Sequence, residues 1–443
     1  MKRIIERYAA LFAADARAAQ RAAALLPGGV STDSRIMQPF PVHVSHAAGA
    51  HKWSLGGSDL IDYWAGHGAI LLGHNPPAVV NAVGEQIRKG THYSACQTIE
   101  ADWAQRVIDL IPSAERVRFA ASGTEANLLA LSLAQTYTGK PKLLRFVGHY
   151  HGWREPLITG SEMVAGSFVD DRVRVCAGHD LETVAQALAN DSRIGCIILE
   201  PTGPSSGVVP IDGDFLHGLR ELTRSYGVLL IFDEVVTGFR VSPGGAQGYC
   251  GVTPDLTTLA KLLAGGLPGG AVAGRADIMD CLTEEGARRI GRHKLTHMGT
   301  FSGNPLSAAA GVAALGHLST GAPQRLAEHS ALDLRRGLNE IIDRHGLDWA
   351  VYGESSMVKF LVGHGGATIP AADFKPGLVD PRILLRRGDA NLFQALRLAL
   401  LINGVDIAPS SFLTAAHSDA DLDKTFAAFE DAIGLLRRDG LLP

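Results

Sequence analysis

The sequence predicts an α/β protein: a large domain with a mainly parallel central sheet flanked by helices, plus a smaller α+β domain. Three observations lead there. From about residue 78 to 315, apolar runs of four or five residues alternate with helix-length segments, the pattern of strands covered on both faces. At 443 residues and 46% hydrophobic, the chain can bury about three quarters of the surface its unfolded form exposes. After Gly311-Val312-Ala313-Ala314 the texture changes to charged helix and short strand-like runs.

Residues 2–26 read as one amphipathic helix stopped by Pro27-Gly28-Gly29. A polar loop, Ser31 to Arg35, leads to strand-like runs at 42–46 and 60–64. Val117-Arg118-Phe119 precedes a helix from Thr124; 143–147, 196–199 and 228–232 are further apolar strands. A helix at 323–345, strand-like segments near 349–362, a Gly/Pro stretch at 363–381 and a helix at 419–437 complete the chain. The expected organisation is an N-terminal segment, 1–65, packing with the small domain; a large domain, 66–315; and a C-terminal small domain, 316–443.

A net charge of −4, from 41 basic and 45 acidic residues, gives no broad positive field for nucleic acid or a membrane surface. Small molecules are the expected partners. Cys96, Cys176, Cys196, Cys250 and Cys281 are widely spaced and form no CxxC pair, which fits buried free thiols in a reducing compartment. Charges interrupt the alanine-rich start, so neither a signal peptide nor a spanning helix is expected, and the reading is cytoplasmic. Arginine outnumbers lysine about three to one, and between Lys142 and Lys294 the single lysine is Lys261, inside Leu-Ala-Lys-Leu-Leu-Ala-Gly-Gly.

Three segments carry chemistry. Ser122-Gly123-Thr124-Glu125-Ala126-Asn127 lies where a strand hands over to a helix, so its N–H groups and the helix dipole suit a phosphate; an ordinary N-cap by Ser122 or Thr124 explains it equally well. Asp233-Glu234 ends a buried strand, at the edge where open α/β sheets bind ligands. A carboxylate there needs a cation or donors, met by a protonated heterocyclic nitrogen, by capping the next turn, or by Arg240. Lys261 in apolar surroundings would have a lowered pKa and an amine free to attack an aldehyde; the alternative is a lysine snorkelling from a helix. His149, Tyr150 and His151 lack a metal-binding pattern, so no metal is expected. Gly66-His67-Gly68 reads as a turn.

A phosphate cradle, a carboxylate for a ring nitrogen and an amine for an aldehyde together describe pyridoxal 5′-phosphate. With Gly148-His149-Tyr150-His151-Gly152, Glu200-Pro201, Phe232 to Arg240, Leu259-Ala260-Lys261 and Gly299 to Pro305 in order, the sequence resembles the class III, fold-type I aminotransferases, in the branch that includes glutamate-1-semialdehyde aminomutase. The resemblance runs from about residue 27 to 420. It implies that Lys261 is the Schiff-base lysine and proton shuttle, that Asp233 keeps the pyridine nitrogen protonated, and that Ser122, Gly123 and Thr124 hold the phosphate. Tyr150 and Val235 would face the ring from either side. Thr300 would reach the phosphate of a neighbouring subunit, making a homodimer the working unit.

Arg35 matches the family's loop whose arginine receives the substrate carboxylate, with a solvated loop arginine as the alternative, and His67 lies in the expected active-site wall. Departures from the aminomutases are specific. They carry tryptophan where this chain has His67 and asparagine where it has Ser205. Their active-site glutamate has no counterpart after Ala408-Pro409-Ser410, and the gating loop is shorter, spanning Trp153 to Val173. The expected reaction is therefore transfer from an amino acid (aromatic, D- or β-) to a 2-oxo acid, as in D-phenylglycine aminotransferase. The aminomutase reaction is the alternative, and a cofactor-binding regulator without turnover the alternative of another class.

Overall fold

A computed structural model of the chain describes residues 1–154, 156–157, 171–365 and 369–443. Most of the gating segment anticipated between Trp153 and Val173 lies outside the described residues. The chain divides into two compact units, one of Met1–His67, Leu71–Pro76 and Arg325–Pro443, the other of Gly68–Ile70 and Pro77–Gln324.

The first unit begins with two helices, Lys2–Leu11 and Ala13–Ala23, where a single helix was expected. Helix propensity would carry the alanine-rich chain through, but Phe12 leaves helical geometry (φ −103°, ψ 35°) as packing takes over. Tyr8 and Phe12 are fully buried, and the buried Asp15 carboxylate accepts the His43 N–H at 2.8 Å. Strands β1 (Val44–Ala48), β2 (His51–Ser54) and β3 (Asp59–Asp62) follow.

The second unit holds β4 (Arg116–Ala120), β5 (Lys142–Phe146), β6 (Val173–Cys176), β7 (Ile194–Leu199), β8 (Leu229–Asp233), β9 (Leu256–Ala260) and β10 (Gly270–Gly274) in one sheet, ordered β4-β10-β9-β8-β7-β5-β6. β10 runs antiparallel to both neighbours, while the pairs from β9 to β6 are parallel. β7, β8 and β9 are buried throughout, and helices such as Gly123–Thr138 and Gly213–Tyr226 cover the sheet. Gly-Ala-Val-Ala-Gly of β10 carries no strand signal. It pairs because it is small: a Cβ on Gly270 would lie 2.2 Å from the Ser122 carbonyl oxygen.

The chain then returns to the first unit with β11 (Ala350–Tyr352), β12 (Met357–Leu361), β13 (Val405–Asp406) and β14 (Ser410–Phe412). β13 joins β1-β2-β3 beside β3, and β11-β12-β14 form a separate sheet. Their core includes the helices Ala390–Ile402 and Asp419–Arg438, with Leu396, Leu400, Phe429 and Leu436 buried. Lys52 Nζ joins three strands, 2.7 Å from Asp62 Oδ1 and 2.8 Å from Asp406 Oδ2. Among the described residues no helix is long and apolar enough to cross a membrane. Three of the five free cysteines are buried as expected, but Cys96 is exposed, because it sits in a loop beside the surface segment Thr300–Pro305.

Candidate active site

Parallel pairing brings the key groups to one sheet edge. Leu199 is opposite Phe232, and Asp233 is opposite Thr258, so the residues just beyond β7, β8 and β9 emerge side by side. Glu200 and Lys261 are among them, next to Asp233, the last residue of β8. Carboxyl ends of parallel strands are the general location of ligand sites in open α/β sheets.

Asp233 is 4% exposed, and three donors hold its carboxylate. Asn127 Nδ2 donates to Oδ2 at 2.8 Å, His151 Nδ1 to the same oxygen at 2.7 Å, and the Val235 N–H to Oδ1 at 3.1 Å. Asn127 also donates to the His151 carbonyl and accepts from Thr258 Oγ1. The turn-capping alternative for Asp233 thus holds in part, through Val235, while Arg240 donates to the Gly68 and Ile70 carbonyls at 2.9 and 3.0 Å. Asn127 and His151 are functional neighbours that the sequence reading left without a role. Asn127 had a signal: it is a buried polar residue among Ala126, Leu129, Ala130, Leu131, Leu133 and Ala134 on one helix.

Lys261 follows β9 and opens a short 3-10 turn, Lys261–Ala264, so the snorkelling-helix alternative does not apply. Its φ is +51°, an uncommon conformation for a residue with a Cβ and one that clusters at functional sites. Burial lowers its pKa below the ordinary lysine value; Asp233 and Glu200 oppose that shift, and the Arg240 guanidinium adds to it.

At the start of the helix Gly123–Thr138, Ser122 Oγ accepts the Glu125 N–H at 3.3 Å, and Glu125 Oε2 accepts the Ala121 N–H at 2.8 Å. Ser122 is therefore an N-cap, as its bland alternative held. The N–H groups of Gly123 and Thr124 lie in the first turn, beyond reach of intrahelical carbonyls. A Cβ at Gly123 would sit 2.9 Å from Val235 Cγ2, so glycine is what lets the helix start approach Val235 this closely. Val235 thus packs beneath the helix start.

Tyr150 is half exposed, and its N–H donates to Glu200 Oε1 at 2.8 Å. Burial, with a smaller contribution from Asp233, raises its phenol pKa. His149 accepts the Glu200 N–H through Nδ1 at 2.9 Å, and its Nε2 lies 3.0 Å from His179 Nε2. Both ring nitrogens of His149 thus have partners, whereas His151 reaches Asp233 through Nδ1 and its buried Nε2 has no hydrogen-bond partner among the described residues. Thr300 is exposed and lines a cleft of about 270 Å³ with His92, Tyr93, Cys96, Gln97 and Glu100.

Arg35 and His67 belong to the first unit. Arg35 is exposed and donates to Ser31 Oγ at 2.9 Å; the adjacent Ser34 Oγ lies 3.2 Å from His67 Nε2. His67 stands in a left-handed turn with Ala65, Gly66 and Gly68, so the turn reading of this segment holds.

The second unit's residues suit pyridoxal 5′-phosphate: first-turn N–H groups at Gly123 and Thr124 without intrahelical partners, a buried carboxylate at Asp233 able to meet a ring cation, and a lysine, Lys261, whose pKa burial lowers. Similarity to known proteins agrees. Residues 32–353 match the family described as aminotransferase class-III. Glutamate-1-semialdehyde 2,1-aminomutase of Sulfurisphaera tokodaii is 36% identical over 430 residues, 94% of this chain and 98% of that protein. Among solved structures, a β-phenylalanine aminotransferase from Variovorax paradoxus superposes with a TM-score of 0.84 at 29% identity, over 100% of this chain and 98% of the other. A transaminase with PLP bound gives 0.85 at 26% identity, over 97% and 99%. Family, fold and donor set agree: the chain belongs to the class III aminotransferases of fold-type I and is a pyridoxal 5′-phosphate-dependent enzyme.

Proposed function

We propose that the chain moves an amino group on carboxylate-bearing amino substrates at Lys261. The observation that carries this reading is the placement of Lys261, just after β9, and the buried carboxylate of Asp233, at the end of β8, on adjacent strands at one sheet edge. When bound, the cofactor supplies an aldehyde for the amine and a protonated ring that accepts electrons from the substrate Cα. Lys261 Nζ is the group that would hold the cofactor through its aldehyde and, once displaced by the substrate amine, would move the proton between the substrate Cα and the cofactor C4′. Asp233 holds the ring-nitrogen proton, while Asn127 and His151 fix the carboxylate's orientation. Ser122, Gly123 and Thr124 would bind the phosphate at the helix N-terminus, with Tyr150 and Val235 on either side of the ring. Arg35 offers a planar fork to the substrate carboxylate, with His67 beside it through Ser34.

Two reactions use this machinery. The name of the Sulfurisphaera tokodaii relative, at 36% identity over nearly the full length, favours the aminomutase: glutamate 1-semialdehyde retained while its amine moves from C2 to C1. Transfer from an aromatic, D- or β-amino acid to a 2-oxo acid is the second reading. It is favoured by Ser205 and His67, where the aminomutases carry other residues, and by the β-phenylalanine aminotransferase likeness. The deciding measurement is the absorption of the cofactor-loaded protein against a panel of D-, L- and β-amino acids and glutamate 1-semialdehyde. If 5-aminolevulinate accumulates without an acceptor, the aminomutase reading stands. A band converted by an amino acid and restored by a 2-oxo acid establishes intermolecular transfer; silence across the panel removes both. Arg35→Ala should raise KM for the best substrate about tenfold or more, as expected for a lost charged hydrogen bond, and an unchanged KM removes its carboxylate role.

The working unit is taken to be a homodimer, with Thr300 reaching the phosphate bound by the partner subunit. Exposed Met298 and Phe301, at 88% and 61%, support burial of this segment against a second copy. Sedimentation should find a dimer, and Thr300→Ala should weaken cofactor retention; an active monomer overturns the arrangement.

A further inference from the structure

Glu200 directly follows β7, in the dipeptide Glu200-Pro201, to which the sequence by itself assigns no task. Its carboxylate accepts three backbone N–H groups from two separate segments. Oε1 accepts from Tyr150 at 2.8 Å and from Ser205 at 2.9 Å; Oε2 accepts from Ser206 at 2.9 Å. The clamp is reciprocal, because the Glu200 N–H donates to His149 Nδ1 at 2.9 Å. Residues 149–150 and Glu200 therefore hold each other at two points.

The second segment needs such a clamp. Gly203, Ser205, Ser206 and Gly207 all have positive φ (+102°, +48°, +64° and +95°). For the glycines this is easy, but two consecutive serines in the left-handed region are costly and persist only where the surroundings over-determine them. The successive N–H groups of Ser205 and Ser206 converge on one carboxylate, an arrangement of backbone donors that binds anions. Glu200 is 6% exposed; burial and the nearby Asp233 raise its carboxyl pKa, and His151 and the N–H donors of Tyr150 and Ser205 oppose that shift.

Glu200 also stands beside the reacting groups, one residue past the Leu199–Phe232 pair that brings β7 alongside β8 and Asp233. Resting on the function proposed above, we propose that Glu200 is a positioning residue that sets substrate selection: one carboxylate locks the Tyr150 segment and the Ser205–Ser206 turn into a single wall. Tyr150 is the residue assigned to the cofactor ring. Ser205 is a position at which this chain departs from the aminomutases. A side chain that fixes both couples cofactor alignment to the shape presented to the substrate.

The test uses the full-length, cofactor-loaded protein and the Glu200→Gln and Glu200→Asp variants. An amide in place of the carboxylate brings an NH₂ against backbone N–H groups, so at least one of the three loses its acceptor. Hydrogen exchange at the amides of Tyr150, Ser205 and Ser206 should accelerate about tenfold or more in Glu200→Gln, with the β8 amides unchanged. The ratio of kcat/KM between the two best substrates of the panel should shift by a similar factor. Glu200→Asp, which keeps the charge, should recover part of both effects. Unchanged exchange at the three amides overturns the clamp. Equal loss for both substrates, with faster exchange, leaves a structural tie and overturns the role in selection. Should Glu200→Gln not fold, Glu200→Asp carries the same two measurements. Exchange is read without turnover, so a protein that shows the clamp but no amino transfer would refute the proposed function while leaving the clamp intact.

Discussion

Replacing Lys261 with alanine is expected to abolish the borohydride-reducible link between protein and cofactor and to lower turnover by roughly two to four orders of magnitude, the scale of a lost proton-transfer group. The fold should survive, because Lys261 begins a short turn after a completed strand, β9, whose pairing to β8 and β10 does not involve its side chain. Peptide mass after borohydride reduction is the direct measurement, and an adduct persisting in the variant would overturn the assignment. The amine also has a pH signature. Burial holds its folded pKa below the unfolded value near 10.4. Between those two values the unfolded chain binds the extra proton, so stability of the cofactor-free protein rises with pH through that window. Lys261→Met should remove that slope; a slope unchanged in the variant assigns it to other groups.

The second large effect is expected at Asp233. An asparagine can still accept from Asn127 and His151 through one oxygen, so Asp233→Asn removes the charge while keeping the carboxylate's shape. An ion pair near 4 Å is worth about 4 kcal/mol at an effective dielectric of 20, and about 1.4 kcal/mol corresponds to a factor of ten. Turnover should therefore fall roughly a thousandfold, with weaker cofactor retention. Retained turnover within about tenfold would show that the ring-nitrogen proton does not depend on this carboxylate. Asn127→Ala should cost less, since His151 and the Val235 N–H still orient Asp233.

Much of the second unit's order was legible because its signals are local. The runs at β7 and β8 are apolar in sequence up to the terminal Asp233 and are buried in the fold. Ser122 caps its helix, as serine before a helical segment commonly does. Lys261 stood out as the single lysine between Lys142 and Lys294. Other features leave no local trace. β10 is built from Gly, Ala and Val and exists because its neighbours need a strand small enough to approach Ser122. The break at Phe12 opposes the helical preference of its alanine-rich surroundings and follows from burial of Tyr8, Phe12 and Asp15.

The sequence by itself determined the residue types: one amine, one strand-end carboxylate, a small-residue helix start, and an order of motifs shared with the class III aminotransferases. Only the tertiary structure decided how those groups are held. Asp233 is oriented by Asn127 and His151, 106 and 82 residues away in sequence, and Glu200 ties Tyr150 to a strained turn at Ser205 and Ser206. Such partners are chosen by strand register and burial. A buried polar atom must find whichever donor or acceptor the packed chain brings within reach, and pattern in a linear sequence does not record that choice.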